Sequence, residues 1–190
     1  MITEFPRLFI AISIDEGWRI QLAEQVNLLQ HKLPFQKWVH LEDYHITLKF
    51  LGEASVEQFP KIQNHLAQVS KMIQPFELTE KGWGTFGPLE APNILWAGVG
   101  GDLDSLNKLQ QHIDHMEDHG FPKENRKFHP HLTIARRYKG KAPLAAPIEA
   151  YLPKANESII KWSVTEIKLY QSHVHKSPMY EPLDSFTLSK

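Results

Sequence analysis

The sequence predicts an α+β fold within one domain spanning residues 1–190, and three observations predict it. Three segments repeat apolar residues at helical spacing, and each is flanked by runs that alternate apolar and polar residues with period two. Some of the strand-like runs pair across turn residues, which suits antiparallel sheets with helices packed on one face. A short pattern, His-apolar-Thr-apolar, occurs twice, each time inside a strand-like run.

The elements follow in chain order. Arg7 to Ile14 (RLFIAISI) alternates around β-branched residues and reads as a strand. Asp15 can cap the helix whose apolar face is Trp18, Leu22, Val26, Leu29 and Leu33, and Pro34 stops it. Tyr44 to Leu51 is a second strand, closed by Gly52. Val56, Phe59, Ile62, Leu66, Val69 and Ile73 mark a second helix; Pro60 lacks an N–H, so the helix is expected to start at Phe59. Phe76 to Phe86 and Asn93 to Val99 read as two strands around a Gly/Pro turn. Asp102 can cap a third helix through Leu103, Leu106, Leu109, Ile113 and Met116, ended by Gly120 and Pro122. His131 to Arg136 is a strand, followed by a connection through Pro143, Pro147 and Pro153. Lys161 to Tyr170 and Ser185 to Leu188 are extended. No linker is long or polar enough to separate independent domains.

Composition narrows the function. Lys and Arg number 21 against 22 Asp and Glu, a net charge of −1, so a nucleic-acid partner would have to be held locally rather than by overall charge. Cysteine is absent, which excludes disulfides, thiolate nucleophiles and cysteine-bound metals. No stretch approaches the ~20 apolar residues of a membrane span. The N-terminal apolar run from Leu8 to Ile14 is too short for a signal-peptide core. A cytoplasmic protein without an obligate protein partner is expected.

The duplicated pattern carries the chemistry. Tyr44-His45-Ile46-Thr47-Leu48 is echoed by Pro130-His131-Leu132-Thr133-Ile134, 86 positions later. Residues i and i+2 of a strand share a face, about 6.6 Å apart. Each strand therefore offers one imidazole and one hydroxyl to a common surface and turns Ile46, Leu48, Leu132 and Ile134 to the core. If the strands lie side by side, two His and two Thr converge. Imidazole has an ordinary pKa of about 6.5, so one ring can be neutral and the other protonated near neutrality. The neutral ring can take a proton from water, and the charged ring can give one to a departing oxygen. The Thr hydroxyls can donate to phosphate oxygens as charge grows there. Such a site needs no metal and suits a phosphodiester whose leaving oxygen is a sugar hydroxyl.

With these motifs the sequence resembles the 2H phosphoesterase superfamily. The contexts HITLKFLG (45–52) and FHPHLTIAR (128–136) resemble its bacterial RNA 2′,3′-cyclic phosphodiesterase branch, also called 2′-5′ RNA ligase. The runs RLFIAISI and IKLYQS, with Tyr180 and Leu183 beyond, extend the likeness over nearly the whole chain. The resemblance implies a bilobal, pseudo-twofold fold with antiparallel sheets lining a central cleft and helices outside. It implies hydrolysis of RNA 2′,3′-cyclic phosphate ends, or of small cyclic nucleotides, to 2′-phosphomonoesters, with 2′-5′ ligation as a related activity and no cofactor. By the same resemblance His45 is the proton donor to the leaving 3′ oxygen, His131 the acceptor that activates water, and Thr47 and Thr133 hold the phosphate. One departure is the stretch His173 to Pro178, where family members commonly carry Gly; it bears on a loop near the cleft.

Further residues stand beside these. Lys123, Arg126, Lys127, Arg136, Arg137, Lys139 and Lys141 cluster around His131 with only Glu124 opposing, a solvated basic face or an RNA phosphate path. Arg136 lies five positions after His131, so a regular strand would turn it to the opposite face; the resemblance nonetheless favours a role in binding substrate. Phe9, Trp38, Phe50 and Phe128 could stack on a base, although core packing is the default for each. His112, His115 and His119 share one helix face, but Glu117 follows His115 by two positions and points roughly 200° away, unlike a zinc-protease helix. The alternative to an enzyme is a non-catalytic RNA- or nucleotide-binding module on the same scaffold.

Overall fold

The computed structural model describes residues 5–88, 90–140, 143–144, 146–152 and 160–189; Lys141 and Pro153 lie outside them. In chain order the elements are β1 (Arg7–Ser13), α1 (Glu16–Gln30), β2 (Phe35–Trp38), β3 (His45–Glu53), α2 (Phe59–Ser70), β4 (Phe76–Phe86), β5 (Ile94–Gly101), α3 (Leu103–Asp114), β6 (His131–Tyr138), β7 (Lys161–Val164), β8 (Glu166–Ser172) and β9 (Tyr180–Thr187).

The helices start where the sequence supplies caps. The Asp15 carboxylate accepts from the Trp18 amide at 2.8 Å, and the Asp102 carboxylate accepts from the Ser105 amide at 3.0 Å. At α2 a Ser55–Gln58 capping box precedes the helix, and Pro60 occupies its first turn, where a missing N–H costs nothing. Each helix buries one stripe: Trp18, Leu22, Val26 and Leu29 on α1, Ile62, Leu66 and Val69 on α2, and Leu106, Leu109 and Ile113 on α3. These stripes join Ile46, Leu48, Leu132 and Ile134 in one core. Burying each such side chain stabilises the fold by about 1.5–3 kcal/mol.

The strands form one nine-stranded antiparallel sheet in the order β7-β4-β5-β6-β3-β1-β8-β9, with β2 added against β6. Among the described residues its two halves meet at a single residue pair, Ile46 opposite Leu132, where β3 touches β6. Everything else in the sheet is paired within a half. A shift of 86 positions lays β1 on β5, α1 on α3 and β3 on β6, so the His-Thr repeat is the visible part of a duplicated β-α-β unit.

Three expectations are corrected. The strand Phe35–Trp38 adds to the sheet beside β6, where the sequence pattern shows only the end of a helix. Lys161 to Tyr170 is two strands, β7 pairing with β4 and β8 with β1, broken at Thr165. The last strand begins at Tyr180, not Ser185.

Candidate active site

The register at the junction fixes what faces what. With Ile46 opposite Leu132 in antiparallel strands, the next positions along the ladder set His45 across from Thr133 and Thr47 across from His131. Ile46 and Leu132 point into the core, so the four polar side chains share the other face. Beyond the one pair the strands diverge, which opens a cleft of about 750 Å³. Small-molecule sites span roughly 300–1,000 Å³. Its walls include His45, Thr47, His131, Thr133, Arg136 and Tyr180. All five residues singled out from the sequence therefore border one space.

Both imidazoles are oriented alike. His45 Nδ1–H donates to the Asp43 carbonyl at 2.7 Å, and His131 Nδ1–H donates to the His129 carbonyl at 2.7 Å. A carbonyl only accepts, so in the neutral ring Nε2 carries the lone pair. The Thr47 hydroxyl donates to His45 Nε2 at 3.0 Å. Asp43 and His129 are themselves 86 positions apart, so the orienting carbonyl belongs to the duplication.

Aromatic rings floor each half. His45 rests against Phe9, with centroids 4.9 Å apart, and meets Tyr180 edge-on at 5.0 Å. Phe9 in turn stacks on Tyr170 at 5.1 Å. His131 meets Phe86 edge-on at 4.9 Å and lies beside Trp96. Gly84 makes room for Trp96, because a Cβ there would fall 2.1 Å from the indole.

These surroundings set the proton affinities. Burial disfavours the charged form and lowers His45 to about 4; the Asp43 carbonyl and carboxylate oppose this, while the positive charges of His131 and Arg136 add to it. His131 is lowered as well, by burial first, with the His129 carbonyl opposing and Arg136 contributing. At neutral pH the site therefore holds two uncharged imidazoles beside one guanidinium, an arrangement that suits an anion. Tyr180 is raised by burial, and nearby Arg136 pulls the other way.

Arg136 corrects the expectation from regular alternation. Thr133 pairs with Trp96 and Ala135 with Leu95, so Ile134 is an extra residue in β6. Such a bulge flips the side-chain alternation beyond it. Ile134 and Ala135 are both buried, and Arg136 returns to the face of His131 and Thr133. Strand β3 does the same. Thr47 pairs with Ala11 and Lys49 with Ile10, leaving Leu48 extra.

Several contributors had no role assigned from sequence. Asp43 is buried, 3% exposed, and its carboxylate accepts from the Met179 amide at 2.8 Å and the Tyr180 amide at 3.0 Å. One residue thus ties His45, through its carbonyl, to the start of β9 and Tyr180. The departing stretch His173–Pro178 forms the turn that leads into this anchor. Lys49 is also buried; its Nζ donates to the Asp114 carboxylate at 2.5 Å and to the Pro122 carbonyl at 2.8 Å. That carboxylate also accepts from the Glu124 amide at 3.2 Å. The pair pins the segment carrying Lys123, Arg126 and Lys127, which with Phe128 borders the cleft. Arg126 is bound to Glu124 at 3.0 Å, whereas Arg137 and Lys139 are not among the cleft's lining residues. The shared helix face expected for His112, His115 and His119 is not formed: α3 ends at Asp114, so only His112 lies in it, and His119 sits in a following 3-10 turn where its ring meets His65 at 5.5 Å. Among the described residues, however, no group of three or more His, Asp or Glu could hold a metal ion. No helix among them is long and apolar enough to cross a membrane.

Comparison with known proteins agrees with this architecture. The family model of the 2′-5′ RNA ligase superfamily matches residues 18–176. An RNA 2′,3′-cyclic phosphodiesterase of Bacillus subtilis is 33% identical over 187 residues, covering 97% of each chain. One of Geobacillus stearothermophilus is 36% identical over 181 residues, 95% of this chain; the match covers only 56% of that longer protein. Among solved structures, E. coli LigT in apo form superposes with a TM-score of 0.71 at 26% identity, over 99% of this chain and 100% of that one. LigT complexed with 3′-AMP gives 0.70 at 26% identity, over 98% and 100%. By family-model match and by full-length similarity, the chain belongs to the 2′-5′ RNA ligase superfamily of 2H phosphoesterases.

Proposed function

We propose that the protein opens RNA 2′,3′-cyclic phosphate ends, or small 2′,3′-cyclic nucleotides, to 2′-phosphomonoesters by metal-independent acid–base catalysis. The observation that carries this is the shared cleft: two imidazoles on neighbouring strands, each held through Nδ1 so that Nε2 carries the lone pair, border it with two Thr side chains and a guanidinium. The relatives named RNA 2′,3′-cyclic phosphodiesterase support the substrate class. The reading keeps the cytoplasmic location expected from the sequence.

The steps follow from the geometry. The cyclic phosphate carries one negative charge, and Arg136 with the hydroxyls of Thr47 and Thr133 binds its non-bridging oxygens. Thr47 turns from His45 Nε2 to the phosphate as substrate enters. The anion offsets the burial that keeps the imidazoles neutral, and His45 takes up a proton. An imidazolium of low proton affinity is scarce at rest but a strong donor once formed. His131 Nε2 accepts a proton from water as the water oxygen attacks phosphorus. The P–O3′ bond breaks, and His45 delivers its proton to the departing 3′ oxygen. The phosphate remains on the 2′ oxygen. If the 5′-hydroxyl of another RNA replaces water, the same steps join the strands by a 2′-5′ linkage.

The test is product analysis on a cyclic-ended oligonucleotide in EDTA. A 2′-monophosphate, resolved from its 3′ isomer by chromatography, is expected. Formation of the 3′ isomer, or loss of turnover on chelation, would reject the assignment. Tight binding without turnover would identify a non-catalytic module.

A further inference from the structure

Resting on the cyclic-phosphate reading, we propose that Asp43 is a positioning residue whose buried carboxylate breaks the symmetry of the duplicated site and makes His45 the proton donor and His131 the acceptor. The two halves bring the same equipment to the phosphorus. Each has an imidazole held through Nδ1 by the carbonyl two positions earlier, with a Thr two positions later. Nothing in that arrangement decides which ring gives a proton and which takes one.

The side chains of the two orienting residues do differ. Asp43 is 3% exposed, and its oxygens accept from the Met179 amide at 3.0 and 2.8 Å and from the Tyr180 amide at 3.0 Å. These are the bonds of an acceptor-only group. Among the described residues no Lys or Arg forms an ion pair with it. Its equivalent in the other half, 86 positions on, is His129, which is exposed and whose ring lies 6.1 Å from that of His131. An imidazole is neutral or positive, never negative. One half therefore has a fixed anion behind its imidazole, and the other half has none.

The remaining surroundings do not supply this difference. Arg136 disfavours a proton on both rings, and His131 disfavours one on His45. Tyr180 from β9 and Tyr170 from β8 meet His45 as rings that burial keeps uncharged. Across the cleft Lys123 and Lys127 are cations, while Glu124 is bound to Arg126. The Asp43 carboxylate favours a proton on His45, whereas a charge on His129 opposes one on His131. Burial still leaves His45 low in the free protein. A phosphate bound between the rings offsets burial for both, and the carboxylate then decides which ring keeps the proton. An opposite charge within about 4–6 Å moves a proton affinity by roughly 1–3 pH units.

The protons balance. His45 enters charged and His131 neutral. When the P–O3′ bond has broken, the 3′ hydroxyl holds the proton of His45 and His131 holds one from water. His131 then releases its proton to solvent and His45 takes one up, a reset that Asp43 also favours.

The experiment uses Asp43→Asn, whose amide oxygen still accepts from the Met179 and Tyr180 amides. Single-turnover opening of adenosine 2′,3′-cyclic phosphate is followed between about pH 5 and 9. The reactive state has His45 charged and His131 neutral. The rate above the optimum therefore scales with the proton affinity of His45, and the rate below it with that of His131. The variant should lose about 10-fold or more on the alkaline side and keep the wild-type rate on the acidic side. An equal loss at every pH marks a structural role, a gain on the acidic side makes His45 the acceptor, and a profile within twofold of wild type throughout leaves the charge without effect; each overturns the proposal. If Asp43→Asn does not fold, His129→Asp reads the same proposal in mirror image at an exposed position. It should lose about threefold or more on the acidic side alone, and an unchanged acidic side overturns the proposal. Imidazole NMR titration with inorganic phosphate bound reads the tuning without turnover. Asp43→Asn should lower His45 by about one pH unit and leave His131 in place, and equal shifts of both rings overturn the proposal. If wild type opens no cyclic substrate, the cyclic-phosphate reading fails while this titration still judges Asp43.

Discussion

Replacing His45 by Gln should remove a measurable part of the protein's sensitivity to acid. The ring is held neutral by burial, with its affinity lowered from 6.5 to about 4. In the unfolded chain it protonates below about pH 6.5. Between those values the unfolded state binds a proton that the folded state refuses, so stability falls as pH falls through this window and levels off below pH 4. The full shift corresponds to roughly 3 kcal/mol, and for a part-buried ring measured between pH 7.5 and 4.5 the expected loss is roughly 2 kcal/mol. Urea unfolding of wild type and His45→Gln at a series of pH values isolates this share, because all other titrating groups are common to both. Gln loses the bond to the Asp43 carbonyl, which offsets its stability at every pH; only the difference in slope counts. Wild type should lose roughly 2 kcal/mol more than the variant over that range. Parallel curves would mean that His45 is not held neutral by its surroundings, and the charge state given for the site would be wrong.

Other outcomes follow from the same geometry. With His45 and His131 both lowered, the bell-shaped kcat/KM profile should peak below pH 6.5, and the kcat profile should lie higher because bound phosphate favours the charged rings; a kcat/KM maximum above pH 7 in steady-state assays would contradict this. Lys49→Met leaves Asp114 buried and unpaired, so denaturation should show a loss of about 3–5 kcal/mol. Asp114 also holds the Glu124 amide, so any folded Lys49→Met should lose more activity on cyclic-ended oligonucleotides than on mononucleotides. Arg136→Lys keeps the charge but loses the planar fork, and an assay on cyclic nucleotide should show a marked rise in KM rather than wild-type behaviour. Thr133→Val should lower kcat about 10²-fold if its hydroxyl donates to developing phosphate charge, and a normal kcat would remove that role.

The sequence carried the apolar half of this molecule well and the polar half unevenly. Helical stripes, caps and the strand at His45 were legible because each is written locally in spacing and residue type. The site tetrad was legible because the duplication kept the His-x-Thr pairs intact at an offset of 86. Strand β2 was not, because four residues after Pro34 are too few to display a period. The bulges hid the facing of Phe50 and Arg136, since an extra residue leaves two consecutive buried positions that read as ordinary apolar or charged sequence. At Leu48-Lys49 the second of these is a lysine, which normally signals solvent; its partner Asp114 lies 65 residues away. Asp43 was unreadable for the same reason, since its carboxylate is satisfied by backbone amides at Met179 and Tyr180 rather than by any complementary side chain.

The central claim is that two imidazoles act together on one phosphoryl group. Single-turnover opening of a cyclic-ended oligonucleotide in EDTA, by wild type, His45→Ala, His131→Ala and the double variant, tests it most directly. Each single variant should lose about 10²–10⁴-fold in the chemical step, and the double variant little more than either, because groups that work as a unit fail as one. A single variant retaining the wild-type rate, or losses that simply multiply in the double variant, would contradict the account.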